Sequence, residues 1–471
     1  MKRGVSRFLI IGLMVLVASS VYGIDVAENV TISGVIKNET ASHLKMGEFM
    51  KIENTVQMGV EYTPTEYLHL FGLFRFFYDG VFDAEEQYEP VKSELYRTDV
   101  TNDWLRELYV DFLSDRLDVR LGRQQVVWGT ADGVKILDAV NPTDMREFTL
   151  DDYADSRIPL WMVKLEYAPT INGTFQCLFI PDFQANYIPP VGAPFTFRAS
   201  VLGQENVAEW LNPSSGPFPG GSFLQREDVK PEPWKDLSDT TIGLRWLDVV
   251  GGFEYTLNFL YGFYLSGANY SWFEPAPGPP IPTITLNLQK RYERIYLYGA
   301  SFTKALTKGP LSGLTIRGEF AYIQDVPTYY GTNGSVTGLV KLDNFNYVLG
   351  FDKSLVTNWF ASLQFIQFIT SKPNYLGKEL LFGPTLGPMD QVTTMLSLKL
   401  STDFMHERLK PDILVIYGLD NDWKITPKVQ FEILDSLVAA AGIHIFEGKP
   451  KNLYGQFAER DELFFELRFG F

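Results

Sequence analysis

Hydrophobicity that alternates at every second residue over segments of about ten residues, and connections that are short and long in turn, predict an all-β fold. The expected architecture is a transmembrane antiparallel β-barrel of about 18 strands, with short periplasmic turns and long extracellular loops. The 471-residue chain carries 36 Phe, 24 Tyr and 9 Trp, which suits the aromatic girdles of such a barrel. Its mean hydropathy of -0.05 excludes a polytopic helical membrane protein, since only the extreme N-terminus approaches a spanning run.

That N-terminal stretch reads as an address. Lys2, Arg3 and Arg7 flank the apolar run 8–17, and Val21-Tyr22-Gly23 offers a cleavage site. A secretory signal peptide over 1–23 is expected, followed by one outer-membrane barrel domain over 24–471. The net charge of -16 argues against a nucleic-acid partner. Cys177 stands alone, so no intrachain disulfide can form. His43, His69, His406 and His444 are scattered, and neither HExxH nor CxxC occurs, so no metal and no cofactor is expected.

Strands follow in order. Phe253, Tyr255, Leu257, Phe259, Tyr261 and Phe263 share one face; Glu254, Thr256, Asn258 and Gly262 share the other. Val392, Thr394, Leu396, Leu398 and Leu400 alternate with Met395, Ser397, Lys399 and Ser401. Read this way, strands fall near 30–40, 49–62, 67–79, 104–114, 117–128, 160–168, 174–180, 238–247, 252–264, 293–304, 313–325, 344–353, 359–370, 391–403, 411–418, 423–433, 437–447 and 460–471. A count of 16 stays open. The long loops are then 80–103, 129–159, 181–236, 266–291, 326–342 and 371–390. A soluble sandwich would also alternate, but its strands are shorter and its connections lack this asymmetry. Leu463, Phe465, Leu467, Phe469 and Phe471 form one face of the last strand, and Phe469 and Phe471 fit a signal read by the barrel-assembly machinery. Physically, this strand must pair with the first to abolish both edges.

Charged positions on the polar faces are expected to line a wet lumen: Glu107, Asp111, Arg120, Lys164, Glu166, Arg245, Arg317 and Glu319, with Lys51, Glu53, Arg75, Lys399 and Lys428. A two-residue turn at Asp115-Arg116 sets Asp111 opposite Arg120. Arg123 has the wrong parity for the lumen unless Gly122 marks a bulge. A bulge is favoured, because an arginine facing lipid is costly. The acids after this strand, Asp132, Asp138, Asp144 and Glu147, lack EF-hand spacing and read as a structured loop paired to wall arginines.

The stretch GRQQVVWGTADGVKILDAVNPTDMRE resembles the signature of an outer-membrane family known only as domain of unknown function thirteen-oh-two. The positions that carry the resemblance are Gly122, Arg123, Gln124, Trp128, Gly129, Asp132, Gly133, Asn141, Pro142 and Asp144. The GRQ strand is also reminiscent of alginate-export porins. The resemblance implies a large outer-membrane barrel with envelope transport, and no catalytic residues. A porin-like channel for small polar or amphiphilic solutes is therefore expected, in contact with outer-membrane lipid and lipopolysaccharide, its solute unnamed. The alternatives are a component of a lipid, hydrophobic-compound or polysaccharide export or uptake system, and a barrel hydrolase. The hydrolase would need a nucleophile with a base, and neither His69 nor His444 has an assignable one.

Overall fold

The computed structural model describes residues 23–92, 104–198, 222–276, 283–332, 335–372, 379–381 and 390–471. Residues 1–22, and with them most of the expected signal peptide 1–23, lie outside the described residues, as do parts of every long loop except 129–159. Eighteen antiparallel strands close into one barrel. In chain order they are β1 Val30–His43, β2 Phe49–Thr65, β3 Leu68–Asp79, β4 Leu105–Phe112, β5 Leu117–Gln124, β6 Leu160–Tyr167 and β7 Thr174–Ile180. Next come β8 Thr241–Val250, β9 Phe253–Phe263, β10 Arg294–Ala305, β11 Leu314–Thr332, β12 Ser335–Val356 and β13 Trp359–Thr370. The last five are β14 Val392–Thr402, β15 Leu409–Gly418, β16 Asp422–Leu434, β17 Leu437–Glu447 and β18 Glu462–Gly470.

Each strand pairs with its neighbours in sequence, and β18 pairs with β1 from Val35↔Gly470 to His43↔Glu462. Closure leaves no free edge, which a lipid environment requires because nothing there can hydrogen-bond an open ladder. The outer surface carries the apolar half of each alternation. Rings on five adjacent strands make a band there: Phe253–Phe302, Phe302–Phe320, Phe320–Tyr347 and Tyr347–Phe365 lie 5.8 to 6.2 Å apart.

Three expectations need correction. β5 stops at Gln124, not at 128, because the chain turns into the lumen there. Region 266–291 is not an irregular loop: Ala268–Ala276 and Thr283–Arg291 pair as a hairpin outside the barrel, joined in parallel by Ser222–Gln225. Region 326–342 is largely strand, since β11 and β12 run on together to Thr332↔Ser335. At about 3.3 Å per residue this pair stands well above the wall at β4–β7.

Candidate functional site: a folded connection across the lumen

Connection 125–159 leaves β5, crosses the barrel interior and returns to β6. Its two arms are stapled where they leave the wall. Val126 N donates to Asn141 Oδ1 (2.8 Å), and Asn141 Nδ2 donates to Ile158 O (3.0 Å). Ile158 N donates to Pro142 O, and Asp144 N to Ser156 O. The Asn-Pro pair of the motif thus ties both ends together. Gln124, fully buried, donates to Met162 O on β6.

Gly122 prepares this departure. Its φ is +138°, and a Cβ there would stand 2.2 Å from Leu108 O on β4. The ladder passes through without an extra residue, Tyr109↔Gly122 then Leu108↔Arg123, so no bulge is present. The backbone twist alone breaks the alternation. Arg123 consequently does not line the pore: it is 1% exposed, with Nε donating to Pro159 O. Gly122→Val should block β4–β5 pairing, since it combines a forbidden φ with a backbone clash. The check is the fraction of heat-modifiable folded barrel on gels; a normal fraction would contradict the reading.

Inside, the connection builds a small protein core. Val126, Trp128, Val134, Ile136, Leu137 and Val140 pack on a belt of lumen-facing apolar residues. The belt takes one residue from each of nine strands: Leu178, Leu260, Leu297, Ala321, Val348, Ile366, Met395, Ile416 and Phe446. Trp128 is 1% exposed and donates its indole N–H to Gln176 Oε1 at 2.8 Å. Higher up, Phe148 sits at φ +56°, packed by Phe457 (4.6 Å), Tyr454 (5.8 Å) and Phe197 (5.9 Å) from two other connections.

Polar latches fix the far end to the opposite wall. Glu319, 2% exposed, accepts from the backbone of Thr130 and from Leu137 N. Arg317 reaches Thr130 O and Asp132, and Gln364 Nε2 donates to Asp132 Oδ2 at 3.0 Å. Gly129 lies against Glu319, and Gly133 against Ile416. Lys424 Nζ donates to Thr149 O (2.8 Å), and Arg245 to Val127 O (3.2 Å). Glu319 is thus not a pore-lining carboxylate: it is buried as an anchor for the connection.

The side facing β1–β3 stays polar. Lys51 Nζ lies 2.7 Å from Glu147, 3.1 Å from Glu39 and 3.6 Å from Asp151. Lys37 pairs with Glu39 (2.9 Å) and Asp155 (3.4 Å). Arg106 donates to the carbonyls of Ala154, Asp155 and Arg157. Arg146 clasps Asp144 and lies over Phe77. Burial opposes the Asp144 carboxylate, yet Arg146 holds its carboxyl below the usual range. Burial first, then the Asp151 carboxylate, push the Glu147 carboxyl well above its ordinary value despite Lys51. A cavity of about 60 Å³ lies here, lined in part by Lys51, Arg75, Asp144, Glu147 and Asp151. Among the described residues no group of three His, Cys, Asp or Glu could hold a metal ion.

Of the remaining expected lumen residues, Asp111, Arg120, Lys164 and Glu166 sit lower, toward the short turns, while Glu107 lies higher, beside the start of the connection. Asp111 stands opposite Arg120 and accepts from its Nε (2.6 Å) and Nη2 (2.9 Å), with His69 Nδ1 at 3.0 Å. Arg120 also lies 3.7 Å from the Tyr109 ring centroid. Lys164 bridges Glu166 at 2.7 Å, and Glu107 accepts from Gln125. Lys37, Glu39 and Arg106 had no place in the sequence reading. Lys37 and Glu39 do share one parity on β1, which was a legible signal.

A closed 18-stranded barrel, apolar outside and narrowed by an inward-folded connection, defines the porin type of architecture. The chain belongs to the family described as protein of unknown function (DUF1302), whose model matches residues 52–396. No curated protein matches the sequence. Among solved structures it is similar to a BenF-like porin from Pseudomonas fluorescens Pf-5, at TM-score 0.51 and 8% identity, covering 94% of this chain and 98% of that one. It is also similar to OccK3 (OpdO) of Pseudomonas aeruginosa (TM-score 0.49, 11% identity, 95% and 97% covered). For OccAB1 of Acinetobacter baumannii the figures are TM-score 0.49, 10% identity, and 94% and 96% covered.

Proposed function

We propose that the protein is an outer-membrane channel for small polar solutes, its bore narrowed by connection 125–159. The apolar outer band and the porin-type fold support the location. One observation carries the choice of solute. Six apolar residues of the connection are buried against the nine-strand belt, and on the β1–β3 side the cavity beside it is lined by charged residues. A barrel of this strand number would otherwise enclose a wide aqueous passage. Among the described residues the belt's apolar side chains are buried, which favours a polar solute over a lipid.

Purified protein in planar bilayers should give stepwise conductance well below that of an unobstructed barrel of this size. A complete absence of channel events would sink the reading.

A further inference from the structure

A second segment, 186–198, lies across the outer mouth of the barrel after β7. At its start, Asn186 N donates to Leu265 O, just beyond β9 (2.9 Å). At its end, Arg198 N donates to Gln456 Oε1, between β17 and β18 (3.2 Å). β9 and β18 stand half a circuit apart in the closed ring, so the two contacts fall on opposite sides of the mouth. The ends are held differently. The start is tied to connection 125–159 by main-chain bonds: Tyr187 N donates to Thr143 O (2.9 Å), and Met145 N to Tyr187 O (2.8 Å). The remainder is held mainly by apolar side chains. Ala193 packs among Val81, Phe82, Tyr88 and Val91 beyond β3. Phe195 lies 5.9 Å and Phe197 5.8 Å from Phe457 between ring centroids. Pro189, Pro190 and Pro194 stiffen this arm. Pro194 and Phe195 also line the charged cavity between connection 125–159 and β1–β3, so the arm covers that gap on its outer side.

We propose that residues 188–198 are a lid over the charged gap, hinged at Asn186-Tyr187, shut in this structure and lifted to admit solute. Apolar contacts have no direction, so a stiff arm held by them can leave and return without stranding a buried polar group. The main-chain bonds at its start keep it in place meanwhile. An apolar constriction over a polar passage is also a barrier to water and ions while it is shut. Phe148 links the lid to the inner constriction. It holds φ +56°, a costly position for a bulky residue, and it persists where the surroundings enforce it. Phe197 supplies part of that enforcement from the lid, at 5.9 Å. Lifting the arm therefore frees Phe148, and with it the outer part of connection 125–159, to relax. The inference rests on the channel reading for its role in passage.

The test uses the full barrel with Cys177→Ser, so that introduced thiols stand alone. Met50 lines the gap beneath the arm and is 3% exposed. Met50→Cys should be labelled slowly by a charged methanethiosulfonate applied to intact cells. Adding Phe195→Ala and Phe197→Ala should speed labelling at least about tenfold, as expected when two packed rings are truncated. In a second variant, Arg198→Cys and Gln456→Cys are joined by a reducible bifunctional thiol reagent. Joining them should abolish stepwise conductance in planar bilayers, and reductant should restore it. Heat-modifiable mobility on gels confirms that each variant is folded. Unchanged labelling in the Phe195 and Phe197 variant, or unchanged conductance in the cross-linked barrel, would overturn the proposal. The channel reading fails separately: faster labelling with no conductance in any variant sinks the channel alone, because labelling needs no current.

Discussion

Replacing Trp128 and Leu137 together by alanine is expected to raise single-channel conductance several-fold while the barrel stays folded. Leu137 is fully buried and lies over Gly299, where a Cβ would come within 2.4 Å of its Cδ2. Trp128 covers Gly243 in the same way, with its ring 3.0 Å from the position a Cβ would take. The two side chains therefore fill hollows that the wall has left for them. Burying a Trp and truncating it costs about 3–5 kcal/mol, and a Leu about 2–5 kcal/mol. Each 1.4 kcal/mol is roughly a factor of ten in a local opening equilibrium. The polar latches at Glu319, Arg317 and Lys424 remain, but a loss of this size removes most of the apolar packing that holds the connection across the lumen. Neither residue belongs to a barrel strand, so the wall should survive, and the heat-modifiable band should persist. Unchanged conductance would show that connection 125–159 is not the constriction.

The second large effect is expected at the closing seam. Gly34 N donates to Phe471 O (2.8 Å), and Phe471 N donates to Gly34 O (2.9 Å). The Phe471 ring lies over Gly34, where a Cβ would meet Cζ at 2.3 Å. Phe469 lies on the same outward face, 6.3 Å from Phe471 between ring centroids. Phe471→Asp sets a carboxylate on a lipid-facing seam and removes the ring that covers it. Insertion into vesicles should fall strongly, and Phe471→Leu should largely restore it. Gly34→Val should imitate the defect from the other strand, by occupying the space of the ring. Normal insertion of Phe471→Asp would remove the argument.

The wall of the barrel was legible in the sequence because lipid imposes a strict period of two, and the 18 expected strands each have a counterpart. The interior was far less legible. Met395 falls among Ser397, Lys399 and Ser401, and Leu260 among Thr256, Asn258 and Gly262. Each is a lone apolar residue on a polar face, which reads as noise strand by strand. Only the closed barrel aligns nine of them into a belt. The end of β5 was misread because Gln124, Val126 and Trp128 continue a plausible alternation into the connection. The hairpin over 268–291 was hidden by the Pro-rich stretch 275–282 between its arms. The acids of the connection were visible, but the pairing of Glu147 with Lys51 and of Asp155 with Lys37 joins residues far apart in sequence. Arg123 was misplaced because a positive φ at one glycine redirects a side chain without disturbing the register.

The belt also dictates an order of events during biogenesis. All nine of its strands follow connection 125–159 in the chain. Thr130 meets Glu319 at a separation of 189 positions, and Thr149 meets Lys424 at 275. Val126, Trp128, Val134, Ile136, Leu137 and Val140 therefore reach their full packing only when the wall is nearly complete, although Trp128 can meet Gln176 as soon as β7 is in place. The wall acts as the template on which the interior condenses, as an apoprotein does for its prosthetic group. Until then the apolar stripe of connection 125–159 lacks most of the side chains that cover it.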